Sequence, residues 1–139
     1  MIRLYTIIIV VLLACSGGPG PKDAVFEFID AVKTSDSLRV IQLLDIDAYV
    51  KSLMVEMSPE DSARALTEHR AMTIQSLLGD GNVRRRWMSS LIVVNKEMVA
   101  GDSAEVEVSF VDQRAGHQLY TIMLLSKQPD KTWKITYFR

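Results

Sequence analysis

The sequence has few cysteines and few histidines. Its 139 residues include one cysteine and two histidines. One cysteine cannot form an internal disulfide, and this set of ligands is too small for a structural zinc site. We therefore expect no metal and no other cofactor. A catalytic site built on cysteine and histidine, or on serine, histidine and aspartate, also has little support.

The sequence also lacks an excess of charge of either sign. It has 16 basic and 17 acidic side chains, which gives a formal net charge of −1. A protein that binds nucleic acid needs clustered positive charge to displace the counterions of the phosphates. We therefore expect no nucleic-acid partner. The length of 139 residues is typical of one domain.

A short apolar run lies near the start of the sequence. Residues 4–13 are mainly apolar and follow one positive charge, Arg3. A membrane-spanning helix needs about 20 apolar residues, so this run is too short to span a bilayer. A positive charge followed by such a run is typical of a secretory signal peptide. We predict that residues 1–14 are a signal peptide and that the protein is exported.

A short motif follows the apolar run. Leu12, Leu13, Ala14 and Cys15 stand in order, and Ser16 comes next. This motif resembles the lipobox of bacterial lipoproteins. The resemblance implies cleavage between Ala14 and Cys15, a lipid such as palmitate on Cys15, and a membrane partner through that anchor. The alternative is a plain secreted or cytosolic protein with an unmodified cysteine.

The lipoprotein resemblance also implies a location and a domain division. It implies a bacterial cell envelope and, if the source is Gram-negative, the outer membrane facing the periplasm, because Ser16 rather than aspartate follows the cysteine. Residues 15–21 are mainly small or helix-breaking and are interpreted as the lipidated cysteine and a flexible tether. Residues 22–139 then form the folded domain.

The first half of the domain has the periodicity of helices. Apolar side chains recur every three or four residues over residues 24–32, which predicts an amphipathic helix that ends near Thr34. A short helix follows at residues 38–44. Asp45 is expected to cap a third helix whose apolar stripe runs to Met57. The longest helix is predicted to begin at Ser58 and Pro59 and to end before the turn at residues 79–82.

The second half of the domain has the period of strands. Residues 91–99, 104–110, 117–127 and 132–139 are predicted strands, and short turns join them. Short connections require an antiparallel meander, and helices must cover its apolar face. The predicted fold class is therefore α+β, with N-terminal helices packed on a four-stranded antiparallel sheet.

Several of these segments together resemble a known superfamily. They are the helix at residues 24–33, the Gly101-Asp102 turn with its alternating strand, and the closing residues 132–135. They resemble the small lipoproteins of the nuclear transport factor two-like, or cystatin-like cone, superfamily, and the resemblance covers most of residues 22–139. It implies a bent sheet around the long helix and a cone-shaped cavity. Members include ketosteroid isomerase, SnoaL-like cyclases and domains of unknown function, so the fold does not select a function.

An enzyme with a cone fold would need an acid, a histidine or a tyrosine that projects into the apolar cavity. The side chains that the alternation turns inward include no acid and no histidine. They are Ala104, Val106, Val108, Phe110, Leu119, Thr121, Met123, Leu125, Trp133, Ile135 and Tyr137. We predict no catalytic residue. The candidate ligand cavity is lined by Tyr49, Phe110, Met123, Trp133 and Tyr137.

Other polar residues are candidates for chemistry that we interpret as structural. Tyr49 and Tyr137 are expected to be core tyrosines with bonded hydroxyls, and His69 a partly exposed helix residue. His117 is next to a turn and is expected to be solvated. The remaining candidates are Asp30, Asp45 and Glu68.

Two further groups of residues have two interpretations each. Arg84, Arg85 and Arg86 precede Trp87 and are interpreted as a solvated connection from helix to sheet, whose arginines pair with nearby acids. The alternative is a contact with an anion or a lipid headgroup. Four methionines are interpreted as core residues, with an adaptable binding surface as the alternative. They are Met54, Met57, Met72 and Met98.

These observations predict a lipid-anchored envelope protein with a non-catalytic domain that binds a small ligand or a protein partner. One alternative is a cone-fold isomerase, cyclase or hydrolase. Another is a structural homodimer that pairs through the outer face of the sheet. That face is expected to carry Glu105, Glu107, Lys134 and Thr136. A cavity filled by Phe110, Met123, Trp133 and Tyr137 would exclude both small-molecule functions.

Overall fold

The computed structural model describes residues 18–54 and 59–138. The predicted signal peptide, Cys15, Met57 and the Ser58 cap lie outside these residues. The described chain forms helices followed by strands, as the sequence predicts. The elements are α1 (Pro21–Thr34), α2 (Ser37–Leu43), α3 (Ile46–Leu53), α4 (Pro59–Leu77), α5 (Asn82–Met88), β1 (Ser90–Ala100), β2 (Ser103–Asp112), β3 (Gln118–Lys127) and β4 (Trp133–Tyr137).

The four strands form one antiparallel sheet in the order β1-β2-β3-β4, which confirms the predicted meander. The register shifts at two places. In β1 it shifts between Val94 and Glu97, and between β3 and β4 it shifts at Leu124 and Leu125. An extra residue in one strand bends that strand and increases its twist. The two shifts therefore curve the sheet around the helix that packs on it.

The helix that packs on the sheet is α1. Its predicted apolar positions are all buried, and α1 contacts β1, β2 and β4. The resemblance instead implied that the long helix lies in the sheet. The longest helix, α4, packs on α3 and α5, and its Met72 is 62% exposed. The reason is composition, because α1 has a continuous apolar stripe and α4 has mainly polar side chains.

Local sequence signals set the ends of several helices. Pro21 occupies the first turn of α1, where its missing N–H costs no hydrogen bond. The Asp45 carboxylate accepts a hydrogen bond from the Ala48 N–H at 3.0 Å, so the predicted cap of α3 is confirmed. Gly79 has a φ of 54° at the end of α4, a conformation that glycine adopts without strain. α3 ends at Leu53, earlier than predicted.

Two predictions are wrong, one about the arginine run with Trp87 and one about the methionines. Residues 82–88 form a helix, α5, and the Trp87 side chain is buried in the core rather than placed in a solvated connection. A helix this short with one buried residue has no repeating apolar pattern to detect. Met72 and Met98 are more than half exposed, so they are not core residues.

No helix in residues 18–54 and 59–138 is both long enough and apolar enough to span a bilayer.

Candidate functional site

The five residues predicted to line one cavity lie in different places. Phe110 lines an open pocket, whereas Met123 is fully buried in the core. Trp133 lines a separate depression beside α1 and α2. Tyr49 and Tyr137 lie next to each other, with ring centroids 6.5 Å apart. Of the five, only Phe110 therefore belongs to the pocket described next.

The pocket at Phe110 has a volume of about 310 Å³ and is open to solvent. We call it the Trp87 pocket. Its buried inner wall is aromatic and is formed by Trp87, Phe110 and Phe138. The other lining residues are more exposed: Arg86, Ser90, Asp112, His117, Leu119, Tyr120 and Thr121. An apolar wall with a few polar groups at the mouth is typical of a small-molecule site.

The short length of β4 explains why this pocket is open. β4 pairs only with residues 124–127 of β3. The first part of β3 pairs with β2 alone, so its other edge has no strand beside it. Phe110 pairs with Leu119 there, which puts both side chains on the inner face, yet Leu119 is 58% exposed. Leu119 and Thr121 are on the inner face, as the sequence predicts, and they line the open pocket.

The register shift in β4 supplies one side of the aromatic wall. Leu125 pairs with Ile135, but Leu124 pairs with Tyr137, so β4 has one extra residue at this point. As a result Phe138 is buried and Tyr137 is only half-buried. The prediction that Tyr137 is one of the inward side chains is therefore corrected. Simple alternation cannot give the right face beyond a bulge.

The aromatic wall is held by contacts among its own rings. The Trp87 ring centroid lies 5.4 Å from that of Phe110 and 5.8 Å from that of Phe138. Phe28 of α1 packs behind them, with its centroid 5.8 Å from Trp87 in an edge-to-face arrangement. Each such pair contributes about 0.5–1.5 kcal/mol beyond area burial. The wall is therefore formed before any ligand arrives.

Asp112 lies at the mouth of the Trp87 pocket. Its carboxylate accepts hydrogen bonds from the backbone N–H groups of Arg114 at 2.8 Å and Ala115 at 3.1 Å. The Ala115 bond, followed by the Arg114 bond, lowers the pKa of Asp112, and the Arg114 charge acts in the same direction. A carboxyl with a lowered pKa is ionised at neutral pH and is a poor general acid.

The three consecutive arginines have three different environments. Arg84 donates from Nε to the Lys33 carbonyl at 3.1 Å and from Nη1 to the Gly79 carbonyl at 2.7 Å. It therefore binds the ends of α1 and α4 through carbonyls. Arg85 is exposed, and Arg86 lines the mouth of the Trp87 pocket. Within residues 18–54 and 59–138 none of the three forms an ion pair, so the predicted pairing with acids is wrong for these residues.

Tyr49 lies outside the Trp87 pocket and packs against the other side of its wall. Its ring stacks on Phe138 with a centroid separation of 4.6 Å. Burial raises the pKa of Tyr49, and the neighbouring Tyr137 raises it further. A phenol with a raised pKa keeps its proton at neutral pH, so Tyr49 is unsuited to act as a base.

The remaining candidates for chemistry on the helices do not line the pocket. Asp30 is exposed on α1, and Asp45 is occupied as the cap of α3. Glu68 forms an ion pair with Arg64 one turn earlier on α4, at 3.1 Å. His69 is half-buried on α4. His117 is exposed at the pocket mouth, in agreement with the expected solvation.

The outer face of the sheet carries more apolar surface than the sequence predicts. Glu105 pairs with Leu124 and Glu107 pairs with Ile122, so the two acids stand beside apolar neighbours on this face. We call its exposed apolar side chains the outer-face patch. Their exposed fractions lie between 37% and 65%. They are Leu91, Val93, Met98, Tyr120, Ile122 and Leu124.

Solved structures with a similar fold are known. One, named "Rd1NTF2_04 with long sheet", is 17% identical, with a TM-score of 0.50 over 86% of this chain and 98% of that chain. A ketosteroid isomerase-like protein from Erwinia carotovora atroseptica is 16% identical, with a TM-score of 0.46 over 83% and 87% of the two chains. An uncharacterized cystatin fold protein from Novosphingobium aromaticivorans is 13% identical, with a TM-score of 0.46 over 88% and 99%.

These likenesses are limited to the fold. No protein-family model matches the sequence, and no curated protein matches it significantly. The order of elements and the antiparallel meander, together with the likeness to the long-sheet protein, show a nuclear transport factor two-like cone fold of the α+β class. This confirms the predicted fold class and does not select a function.

Proposed function

We propose that this protein is a lipid-anchored envelope protein whose cone domain binds a small, largely apolar ligand in the Trp87 pocket without transforming it. The observation that carries the proposal is the open pocket with a preformed aromatic wall. Its volume of about 310 Å³ lies at the lower end of the range of small-molecule sites.

A sheet interior completely filled by side chains would exclude a small ligand. Met123 and Trp133 are buried and occupy their part of the interior. Beside Phe110, however, the short β4 leaves the interior open. Because the open part is lined by aromatic rings, a ligand with apolar surface would gain free energy by covering them, at about 25 cal/mol per Å². The interior is therefore not completely filled, and its open part has room for a small ligand.

The position and the lowered pKa of Asp112, the acid at the pocket, favour binding over catalysis. Isomerases of the cone fold need a carboxyl whose proton affinity is tuned by burial. Asp112 instead lies at the mouth, accepts two backbone hydrogen bonds and has a lowered pKa. An ionised, solvated carboxylate at the rim can orient a ligand but supplies no proton. The cone-fold enzyme is therefore the alternative and not the proposal.

The lipid anchor is supported by the sequence around Cys15. A positive charge, the apolar residues 4–13 and the residues 12–15 follow in the order of a lipoprotein signal. α1 begins at Pro21, so few residues separate Cys15 from the folded domain. A fully extended chain of six residues spans about 20 Å, which would keep the domain close to the membrane surface.

Native mass spectrometry tests the ligand directly. The protein is purified from its producing cell and its intact mass is compared under native and denaturing conditions. We expect an additional small mass that is released on denaturation. The Leu119→Trp variant, which fills the pocket mouth, should lose this mass. Leu91→Trp places the same side chain on the outer face and should keep it. If the wild type carries no additional mass, or Leu119→Trp retains it, the pocket proposal fails.

Labelling with an alkyne fatty acid tests the anchor separately. The wild-type chain should become labelled and should fractionate with membranes. Cys15→Ala should lose both properties, because the thiol is the attachment point. Ser16→Ala is the matched control and should remain labelled. Equal labelling of the wild type and Cys15→Ala would reject the lipoprotein assignment.

The outer-face patch supports a second candidate function, a homodimer that pairs through the sheet. A monomer gains nothing by exposing apolar side chains of this kind, whereas an interface would bury them. Sedimentation velocity should show a dimer that Ile122→Glu dissociates, since the new charge would lie beside Glu107. Met72→Glu, on the exposed side of α4, is the control. A monomeric wild type would exclude this function.

A further inference from the structure

We propose that the ligand of the Trp87 pocket is a ring-bearing carboxylate, and that Arg86 binds its carboxylate at the mouth while the aromatic wall contacts its ring. This inference rests on the function proposed above and names the chemical class of the ligand. Three features of the pocket support it: its size, its charge and the position of Arg86.

The size of the pocket indicates how much of a ligand it can enclose. A volume of about 310 Å³ holds about ten to fifteen non-hydrogen atoms, taking about 20–30 Å³ for each. This corresponds to one ring or two fused rings with a small polar group. The flat faces and edges of Trp87, Phe110 and Phe138 favour a planar ring, because aromatic pairs gain from stacked and edge-to-face geometry.

The charges at the mouth favour an anion. Arg86 has no ion pair and no side-chain hydrogen bond within residues 18–54 and 59–138, whereas Arg84 binds two carbonyls. Asp112 accepts two backbone N–H hydrogen bonds, and the neighbouring Arg114 and His117 place positive charge beside its carboxylate. A cationic ligand would bring its charge next to Arg86. A carboxylate would instead find a planar guanidinium whose donors match its two oxygens.

The backbone that carries Arg86 is held in place. The Ser90 hydroxyl donates a hydrogen bond to the Arg86 carbonyl at 2.9 Å, which joins the end of α5 to the start of β1. The adjacent Trp87 is fixed among the aromatic rings. The base of the Arg86 side chain is therefore fixed relative to the wall that would hold the ring. Arg86 and Trp87 both line the pocket, so a ligand with a polar end at Arg86 and an apolar body at Trp87 fits it.

Isothermal titration calorimetry with two probes tests the inference. The probes are 2-naphthoate and its neutral analogue 2-naphthamide, and each titration is corrected by one into empty detergent micelles. The full chain is compared with Arg86→Gln and with Arg85→Gln, which removes the same charge from the neighbouring exposed position. We expect Arg86→Gln to weaken naphthoate binding about tenfold relative to Arg85→Gln, the effect of one charge-assisted contact. Naphthamide affinity should agree within about twofold in all three proteins.

The outcomes separate this inference from the proposed function. If naphthoate binds equally to Arg86→Gln and Arg85→Gln, or if naphthamide binds as tightly as naphthoate, the carboxylate assignment is wrong and a neutral apolar ligand remains. If neither probe binds the wild type, the ligand pocket itself is rejected. Added salt gives a check that needs no variant, because it should weaken the binding of naphthoate and leave that of naphthamide unchanged.

Discussion

Arg84 should stabilise the fold, although it stands in a run of arginines that resembles a binding patch. Its guanidinium donates to the Lys33 carbonyl at 3.1 Å and to the Gly79 carbonyl at 2.7 Å. These carbonyls lie at the ends of α1 and α4, where the backbone lacks further helical partners. In Arg84→Gln the side chain is shorter and neutral, so it cannot reach both carbonyls.

The cost of Arg84→Gln can be estimated from these two bonds. A hydrogen bond from a charged donor contributes about 1.5–3 kcal/mol when buried, and less when water can replace it. One of the two bonds is partly buried and the other is exposed. We therefore expect a loss of about 2 kcal/mol in the free energy of unfolding. For a domain of this size the loss corresponds to about 8 °C in the melting temperature.

The assay is urea denaturation followed by circular dichroism, with Arg85→Gln as the control. Arg85 is exposed and makes no side-chain hydrogen bond within the described residues, so its substitution should change the free energy of unfolding by less than about 0.5 kcal/mol. Arg84→Gln should leave the affinity for 2-naphthoate unchanged, in contrast to Arg86→Gln. Equal stability of the Arg84 and Arg85 variants would refute the assignment of Arg84 as a connection between the two helices.

Three further predictions concern the aromatic wall and two titrating groups. Phe138→Ala should cost about 3–5 kcal/mol, measured by urea denaturation, because it removes a buried ring that contacts Trp87; a cost below about 1 kcal/mol would contradict that burial. The raised pKa of Tyr49 adds stability that is complete below about pH 10 and is lost as the pH rises through the folded-state pKa. Tyr49→Phe should therefore remove part of the loss of stability in alkali, whereas Tyr120→Phe, at an exposed position, should not; denaturation midpoints at neutral and alkaline pH would show the difference. The lowered pKa of Asp112 adds stability that is present above about pH 4 and is lost as the pH falls through the folded-state pKa, so Asp112→Asn should flatten the acid side of the same profile.

The sequence was sufficient to predict the layers of the fold because the two periods are clear in it. Residues 24–32 repeat with the helical period, and residues 104–110 alternate strictly, so both faces could be assigned correctly. The predicted turns also match the ends of the strands to within a few residues. Such signals depend only on which side of an element is buried.

The candidate site could not be predicted in the same way, because it depends on irregularities. Trp87 lies on a seven-residue helix that shows no apolar repeat. Phe138 faces the core only because β4 contains a bulge, and the adjacent Tyr137 fits the regular alternation equally well. Leu119 is on the predicted face, but its exposure results from the short β4, a property of another strand. Strand pairing sets the environments of Phe138 and Leu119, and packing of α5 on the core sets that of Trp87. No local pattern in the sequence reports either.

Two-dimensional NMR of the two tryptophan indole N–H groups tests the central claim most directly. The sequence has two tryptophans. Trp87 lines the proposed pocket, and Trp133 lies outside it. On addition of 2-naphthoate to the full chain, the Trp87 signal should shift through the ring current of the bound naphthalene, and the Trp133 signal should stay in place. If the Trp87 signal does not move, or if only Trp133 responds, the Trp87 pocket is not the ligand site.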